Sequence, residues 1–327
     1  MKLILILLIS LSSIWSVLAI YLGNSETSIL QTSLASIFAL LSLASIILLF
    51  TRWRKISMIS YFSSFIIIVI AWSFLIQPSN NRHWQTDVAK LPFAEINGNL
   101  ITLHNIRNFS YKSESDYTPA YYDKTFDLTQ LTGVDLFAVY WMGDAIAHTI
   151  LSFSFNNNDY LAISIEARKE QNEAYSTFKG FFRQYELIYI VADERDVIGL
   201  RTHYRKDPIE TVYRYSLKSN KESGQRLFLQ YIKQINQLYQ NATFYNTLLD
   251  NCTTSIWFNS LVNENHVVFS WKIILSGYVP DYLYQSGLLN TDLPFAELKQ
   301  KALINPIAEK LNVSDANFSM LIRKNQQ

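Results

Sequence analysis

The chemistry available to this chain starts from one sulfur. Cys252 is the single cysteine among 327 residues. It stands in Asp250-Asn251-Cys252-Thr253-Thr254-Ser255-Ile256-Trp257, where an irregular polar stretch gives way to an apolar, helix-like run. Asp250 and Asn251 are good N-cap residues, so the cysteine is expected in the first turn of a helix running through Trp257, Leu261 and Val262. The unpaired N–H groups and the dipole at that end favour an anion, which stabilises a thiolate over a thiol. Position alone leaves two readings: a nucleophile, or a small buried hydrophobe, which is the usual fate of a free cysteine.

A thiol nucleophile needs a base, and the base needs a group that fixes its tautomer. The histidines are His83, His104, His148, His203 and His266. His83 and His266 lie in polar segments without a rigid mount. His148 lies among apolar residues in Ala145 to Phe155 (AIAHTILSFSF), a strand-like run of the kind that holds a catalytic base still. A hydrogen-bonded core histidine explains that position equally well. Its partner depends on register. If Asn156 to Asn158 close a three-residue hairpin with an asparagine in the left-handed region, Phe155 pairs with Asp159 and His148 faces Glu166. A four-residue loop pairs His148 with Ala167 instead and sends Glu166 to the other face.

Other chemistries lack their residues. No two histidines are spaced at i,i+3 or i,i+4, and one cysteine cannot build a thiolate-rich zinc site, so neither a metal nor another cofactor is expected. There is no Gly-x-Ser-x-Gly elbow, and nine glycines in all leave little room for a phosphate-cradling loop. With 28 basic and 27 acidic residues the charge is balanced, which argues against a nucleic-acid partner. Arg168, Lys169, Arg183, Arg195, Arg201, Arg205 and Lys206 alternate with acidic residues and read as a solvated face with local ion pairs, some of them near lipid headgroups.

The elements that must position these residues follow from periodicity. Val134 to Trp141, Ala145 to Phe155 and Asp159 to Arg168 form an antiparallel meander. Tyr185 to Ala192 and Thr211 to Leu217 add strands. Lys221 to Tyr239 has helical spacing at Leu227, Leu229, Ile232, Ile235 and Leu238, and a last helix is expected over Phe295 to Leu311. Ahead of all this lie three charge-free runs, Leu3 to Leu22, Ile29 to Phe50 and Met58 to Ile76, each near the ~20 residues that span a bilayer. The first is longer than the ~7–15-residue core of a signal peptide, so it reads as a retained anchor. Arg52, Arg54 and Lys55 crowd the second loop and make it cytoplasmic, which puts everything after Pro78 on the outer side of the inner membrane. The expected organisation is a three-helix anchor over 1–78, a linker and domain entry over 79–104, and an extracytoplasmic domain over 105–327.

Several stretches then carry a resemblance. The strand AIAHTILSFSF, with its histidine ahead of the Asn-Cys pair that opens a later helix, resembles the permuted papain-like arrangement of the lecithin:retinol acyltransferase group. More specifically, NIRNFSYKSESDYTPAYYD, IAHTILSFSF, AISIEARKE, GFFRQYELIYIVADERDVIGLRTHYR and FYNTLLDNCTTSIW resemble the extracytoplasmic domain of Lnb-type bacterial lipoprotein N-acyltransferases, over most of Asn105 to Phe258. The resemblance implies an α+β fold with an antiparallel sheet and packed helices. It also implies Cys252 as nucleophile, His148 as base and Glu166 as the group that orients it. The implied activity moves an acyl chain from a phospholipid or a diacylglyceryl lipoprotein to the N-terminal amine of a bacterial lipoprotein, in the inner membrane with the catalytic domain on the periplasmic side.

Physical chemistry agrees with that implication. A thiolate takes an acyl group from an ester readily, and the thioester is then open to an amine. The Cys252 N–H, with the Asn251 side chain, is placed to hold the oxyanion. Two other readings compete: an envelope cysteine hydrolase of the same fold, acting as a peptidase or lipid amidase, and a scaffold in which Cys252 is merely buried.

Overall fold

The computed structural model describes residues 2–23 and 28–324. The chain divides into two compact units, one comprising Met1–His83, Lys169–Glu186 and Thr243–Thr247, the other Trp84–Arg168, Leu187–Ala242 and Leu248–Gln327.

The first unit is built on three apolar helices, α1 (Lys2–Leu22), α2 (Ile29–Leu48) and α3 (Arg54–Leu75), each long and apolar enough to cross a membrane. Several of their hydroxyls are paired inside the bundle. The Tyr61 hydroxyl lies 2.7 and 2.8 Å from Ser12 and Ser13 and donates to the Ile9 carbonyl at 3.0 Å, as a hydroxyl among apolar helices must. At the end of α3 the Arg183 guanidinium lies 3.9 Å from the Trp72 ring and donates to the carbonyls of Trp72 and Ser73. A cation there meets carbonyls that have no helical partner.

The second unit is α+β. Its strands are β1 (Phe93–Asn97), β2 (Leu100–Arg107), β3 (Ser110–Tyr111), β4 (Tyr117–Thr118), β5 (Tyr121–Asp127), β6 (Leu131–Tyr140), β7 (Ala147–Phe155), β8 (Asp159–Arg168), β9 (Glu186–Asp193) and β10 (Thr211–Ser216). An eight-stranded sheet runs in the order β1-β2-β9-β8-β7-β6-β10, with β5 also paired to β2, while β3 and β4 form a separate ribbon. The sheet is mixed rather than wholly antiparallel, because β2 and β9 meet as a parallel pair at Arg107 and Ala192. The stretch 79–104, read from sequence as linker and entry, contributes β1 and the first part of β2.

Alternation along the meander buries both faces. Leu151, Phe153 and Phe155 of β7 join one cluster with Leu161 and Ile163 of β8, covered by α5 (Lys221–Gln240) through Phe228, Tyr231 and Ile232. Ile150 and Ala162 point into the other cluster, closed by Ile304, Ala308, Phe318 and Ile322 from the C-terminal segment. After β9 the chain forms α4 (Glu194–Gly199) and then a π-helical turn over Leu200–Tyr204. Beyond α5 come α6 (Cys252–Ser260) and α7 (Trp271–Ile274). The single C-terminal helix expected over Phe295 to Leu311 is instead two, Phe295–Ala302 and Asn305–Ala308. Leu303 leaves the helix to bridge β10 at Tyr213, and Pro306 opens the next turn, where its missing N–H costs nothing.

The β7–β8 hairpin has the three-residue register. Phe155 pairs with Asp159 and the ladder continues to Ile150 and Ser164, while Asn158 takes the left-handed conformation at φ +58°. Asparagine tolerates that region better than most residues, which suits it to this position.

Candidate active site

α6 delivers the sulfur. Asn251 precedes the helix in extended conformation, and its Oδ1 accepts from the N–H groups of Thr253 and Thr254, both at 2.9 Å. The Thr254 hydroxyl in turn accepts from the Asn251 N–H at 3.0 Å. This reciprocal cap consumes the N–H groups of the second and third helical positions and starts the helix at Cys252. The thiol is half-buried, 3.6 Å from the Thr253 hydroxyl. That hydroxyl lies 3.0 Å from Thr149, on the strand that carries His148.

The β7–β8 register places His148 and Glu166 two residues beyond the Ile150–Ser164 pair. The two do not meet directly. His148 Nε2 lies 3.6 Å from the nearest Glu166 oxygen but 2.8 Å from the Ser164 hydroxyl, which itself donates to Glu166 at 2.7 Å. Because Ser164 spends its proton on the carboxylate, it must accept from Nε2–H. That fixes the tautomer and leaves Nδ1 as the ring nitrogen available to the thiol.

Glu166 is held from behind. Arg201, which the sequence placed on a solvated face, is 5% exposed and reaches Glu166 at 3.3 Å and Glu210 at 3.2 Å. The turn after α4 points it inward, where two carboxylates compensate its charge. Arg168 is likewise buried, against the Trp84 ring and the carbonyls of Val88 and Ala89.

These neighbours set protonation. Burial alone pushes the Cys252 thiol up, but the adjacent His148 charge and hydrogen bonds from His148, the Thr149 backbone and Thr253 outweigh it and bring the thiol down to about 6. Burial and Arg201 depress the His148 imidazolium, yet Cys252 and Glu166 prevail and raise it above its ordinary value. Burial raises the Glu166 carboxyl, but the nearby His148, 3.6 Å away, and then Arg201 hold it well below the usual carboxylate range. These directions favour the thiolate, imidazolium and carboxylate forms together. Such an array can attack an acyl carbon and return a proton to the leaving group.

Residues 117–277 match the family model described as the Lnb N-terminal periplasmic domain, a span that holds His148, Ser164, Glu166, Arg201 and Cys252 together. Residues 117–277 are an Lnb N-terminal periplasmic domain. No curated protein and no solved structure gives a significant match. With three candidate spans ahead of an Lnb-type domain, the chain is a membrane protein with a periplasmic-type domain.

Within the Lnb-type domain the structure brings together Cys252, His148, Glu166 and, as the helix cap, Asn251. The other histidines of the second unit are engaged elsewhere: His104 with Asp123 at 2.7 Å, His203 with Thr202 at 2.8 Å, and His266 with the Val267 carbonyl at 2.9 Å. Among the described residues no group of three His, Cys, Asp or Glu is placed to hold a metal ion. Sequence reasoning missed Ser164 and Arg201. Ser164 lies two residues before Glu166 and so shares its face of β8, a signal that was present in the sequence. Arg201 had none, because it arrives from a turn after β9.

Proposed function

We propose that the chain is a thiol acyltransferase that carries an acyl group as a Cys252 thioester from a membrane phospholipid or diacylglyceryl lipoprotein to the N-terminal amine of a bacterial lipoprotein. The observation that carries this reading is the unbroken array Cys252, His148, Ser164, Glu166, Arg201 inside an Lnb-type domain. Three candidate spans, with Arg52, Arg54 and Lys55 in the second loop, support a periplasmic position for that domain.

The Cys252 thiolate attacks the ester carbonyl. The oxyanion is held by the Cys252 N–H at the start of α6, with Asn251 as the second candidate donor. As the C–O bond breaks, the departing alkoxide takes the proton from His148, leaving a thioester. The lipoprotein amine then attacks that carbon, His148 accepts its proton, and the C–S bond breaks to restore the thiolate. Glu166, acting through Ser164, keeps the imidazole in one tautomer at each stage. A thioester exposed to water would hydrolyse, so amine transfer requires that water be excluded while the acyl group waits.

The test is the chemical state of lipoprotein N-termini, read by mass spectrometry in cells whose only source of N-acylation is this chain. Wild type yields N-acylated cysteine and Cys252→Ser yields free amine; persistent N-acylation by the variant refutes the proposal. An envelope hydrolase would release fatty acid or cleaved peptide without acylating the amine, and the same spectra distinguish that outcome.

A further inference from the structure

The face that α6 turns away from the sheet has the wrong polarity for water. The helix buries Thr253, Thr254, Ser255 and Asn259, whereas Phe258 is 50% exposed and Leu261, next along the chain, 41%. A helix on a soluble domain shows the reverse pattern. The following segment extends the apolar face through Val268, Phe269, Trp271 and Leu275, with Val268 at 74%. Of the fifteen exposed large apolar side chains described in this unit, ten fall within residues 248–275. That concentration makes a patch rather than the scatter normal for a protein surface.

The patch is built rather than loose. Trp257 donates from its indole to the Val267 carbonyl at 2.8 Å and packs edge-on to Phe269, with ring centroids 5.0 Å apart. Tyr282 donates to the Val268 carbonyl at 2.7 Å. Between Thr253 and Ser276 the formal charges are Glu264 and Lys272. Lys272 is matched by Asp281 at 2.9 Å, so its ammonium does not interrupt the face as an isolated charge.

We infer that this face, the outer side of α6 with residues 267–275, docks into the surface of the lipid bilayer. Chain length favours lipid over other occupants. Nine residues lead from Leu75, at the end of the third apolar helix, to Trp84, the first residue of this unit, a reach of at most about 32 Å. Cys252 follows Thr247, the last residue of the unit that holds those helices, by five residues, at most about 18 Å. The unit that carries the face is therefore joined by short stretches of chain to the unit that holds the apolar helices. Its tryptophans and tyrosines are the residue types that settle at the headgroup boundary. Because α6 also carries the nucleophile, docking by this face would bring acyl esters to Cys252 without lifting a chain through water. The inference concerns where the domain sits and stands whether or not Cys252 transfers acyl groups.

The test uses the full chain, with Cys252→Ala, in nanodiscs of phosphatidylethanolamine and phosphatidylglycerol. A nitroxide is attached at Val268→Cys or Leu275→Cys, and at Ile96→Cys of β1, another exposed apolar position (56%), as control. Docking predicts that relaxation by dissolved oxygen exceeds relaxation by a water-soluble nickel chelate at 268 and 275, and that the order reverses at 96. Water-like behaviour at 268 and 275 overturns the inference. So does shielding from both reagents with dipolar broadening between labels, which would mean a second copy covers the face. A companion measurement with Cys252 intact uses Val268→Asp/Trp271→Glu, which should slow Cys252 labelling by a bilayer-resident acyl electrophile at least tenfold while labelling by iodoacetamide is unchanged. Equal slowing of both reagents, or of neither, also overturns it.

Discussion

Helix α5 buries Leu227, Phe228, Tyr231, Ile232, Ile235 and Leu238 and turns Lys221, Arg226 and Lys233 to water. Helix α6, packed beside it on the same sheet, buries two threonines, a serine and an asparagine and turns Phe258 outward. The first gains its place from apolar area removed from water, about 1.5–3 kcal/mol for a fully buried side chain such as Phe228. The second gains little that way. Its inner groups must each be hydrogen-bonded, because an unpaired buried hydroxyl or amide costs more than a paired one returns. Asn259 bonds the Tyr189 hydroxyl at 2.9 Å, Thr254 completes the cap, and Thr253 sits between Cys252 and Thr149. One helix holds the fold, and the other is held by it so that a sulfur stands in one place.

That contrast can be broken from either side. Cys252→Ala should lower acyl transfer by at least ~10³-fold, since no other group in the array supplies the nucleophile, while thermal unfolding monitored by circular dichroism stays at the wild-type midpoint. Phe228→Ala on α5 should do the opposite. It should destabilise by ~3–5 kcal/mol in denaturant titration, yet leave thiol reactivity per folded molecule unchanged.

Ser164→Ala leaves Cys252 and His148 in place but cuts the path to Glu166, and a loss of ~10–10²-fold in kcat is expected. Its signature is a pH profile. In the wild type the thiol is down at about 6 and the imidazolium is raised, so alkylation by iodoacetamide should persist as pH falls towards 6, where an ordinary thiol with a value near ~8.5 is almost wholly protonated. Without Ser164 the imidazolium loses support, its value falls, and the thiol rises. The alkylation profile should shift to higher pH, and an unshifted profile would show that Ser164 only fills space. The smallest effect is expected of Asn251→Ala, which removes the cap and should cost ~1 kcal/mol of stability, seen as a modest drop in unfolding midpoint.

What the sequence made legible was local. The meander and the helix start at Cys252 follow from alternation and capping preference, each decided within a few positions, whereas the turn residues left the hairpin open between three and four residues until the structure gave the register. The pairing of β2 with β9 joins residues 85 positions apart, Arg107 and Ala192, and no short-range pattern encodes it. Arg201 was misread for the same reason. Its charge suggests solvent, and only tertiary structure brings Glu166 and Glu210 to it. Ser164 was readable in principle, as the face-mate of Glu166 on β8, but a serine in a strand does not announce a hydrogen bond to a histidine on the next strand.

One feature of composition has a practical consequence for anyone handling the protein. With a single sulfhydryl per chain, at the proposed reacting position, the number of thiols titrated in a preparation sets the upper limit on the number of chains able to react by the proposed mechanism. Loss of activity through oxidation can then be followed by mass alone, as sulfenic, sulfinic or mixed-disulfide adducts on one atom. In an oxidising compartment the chain has no partner sulfur of its own with which to close a ring, so its inactivation by air should be reversible by reductant only while the adduct remains a disulfide or sulfenic acid.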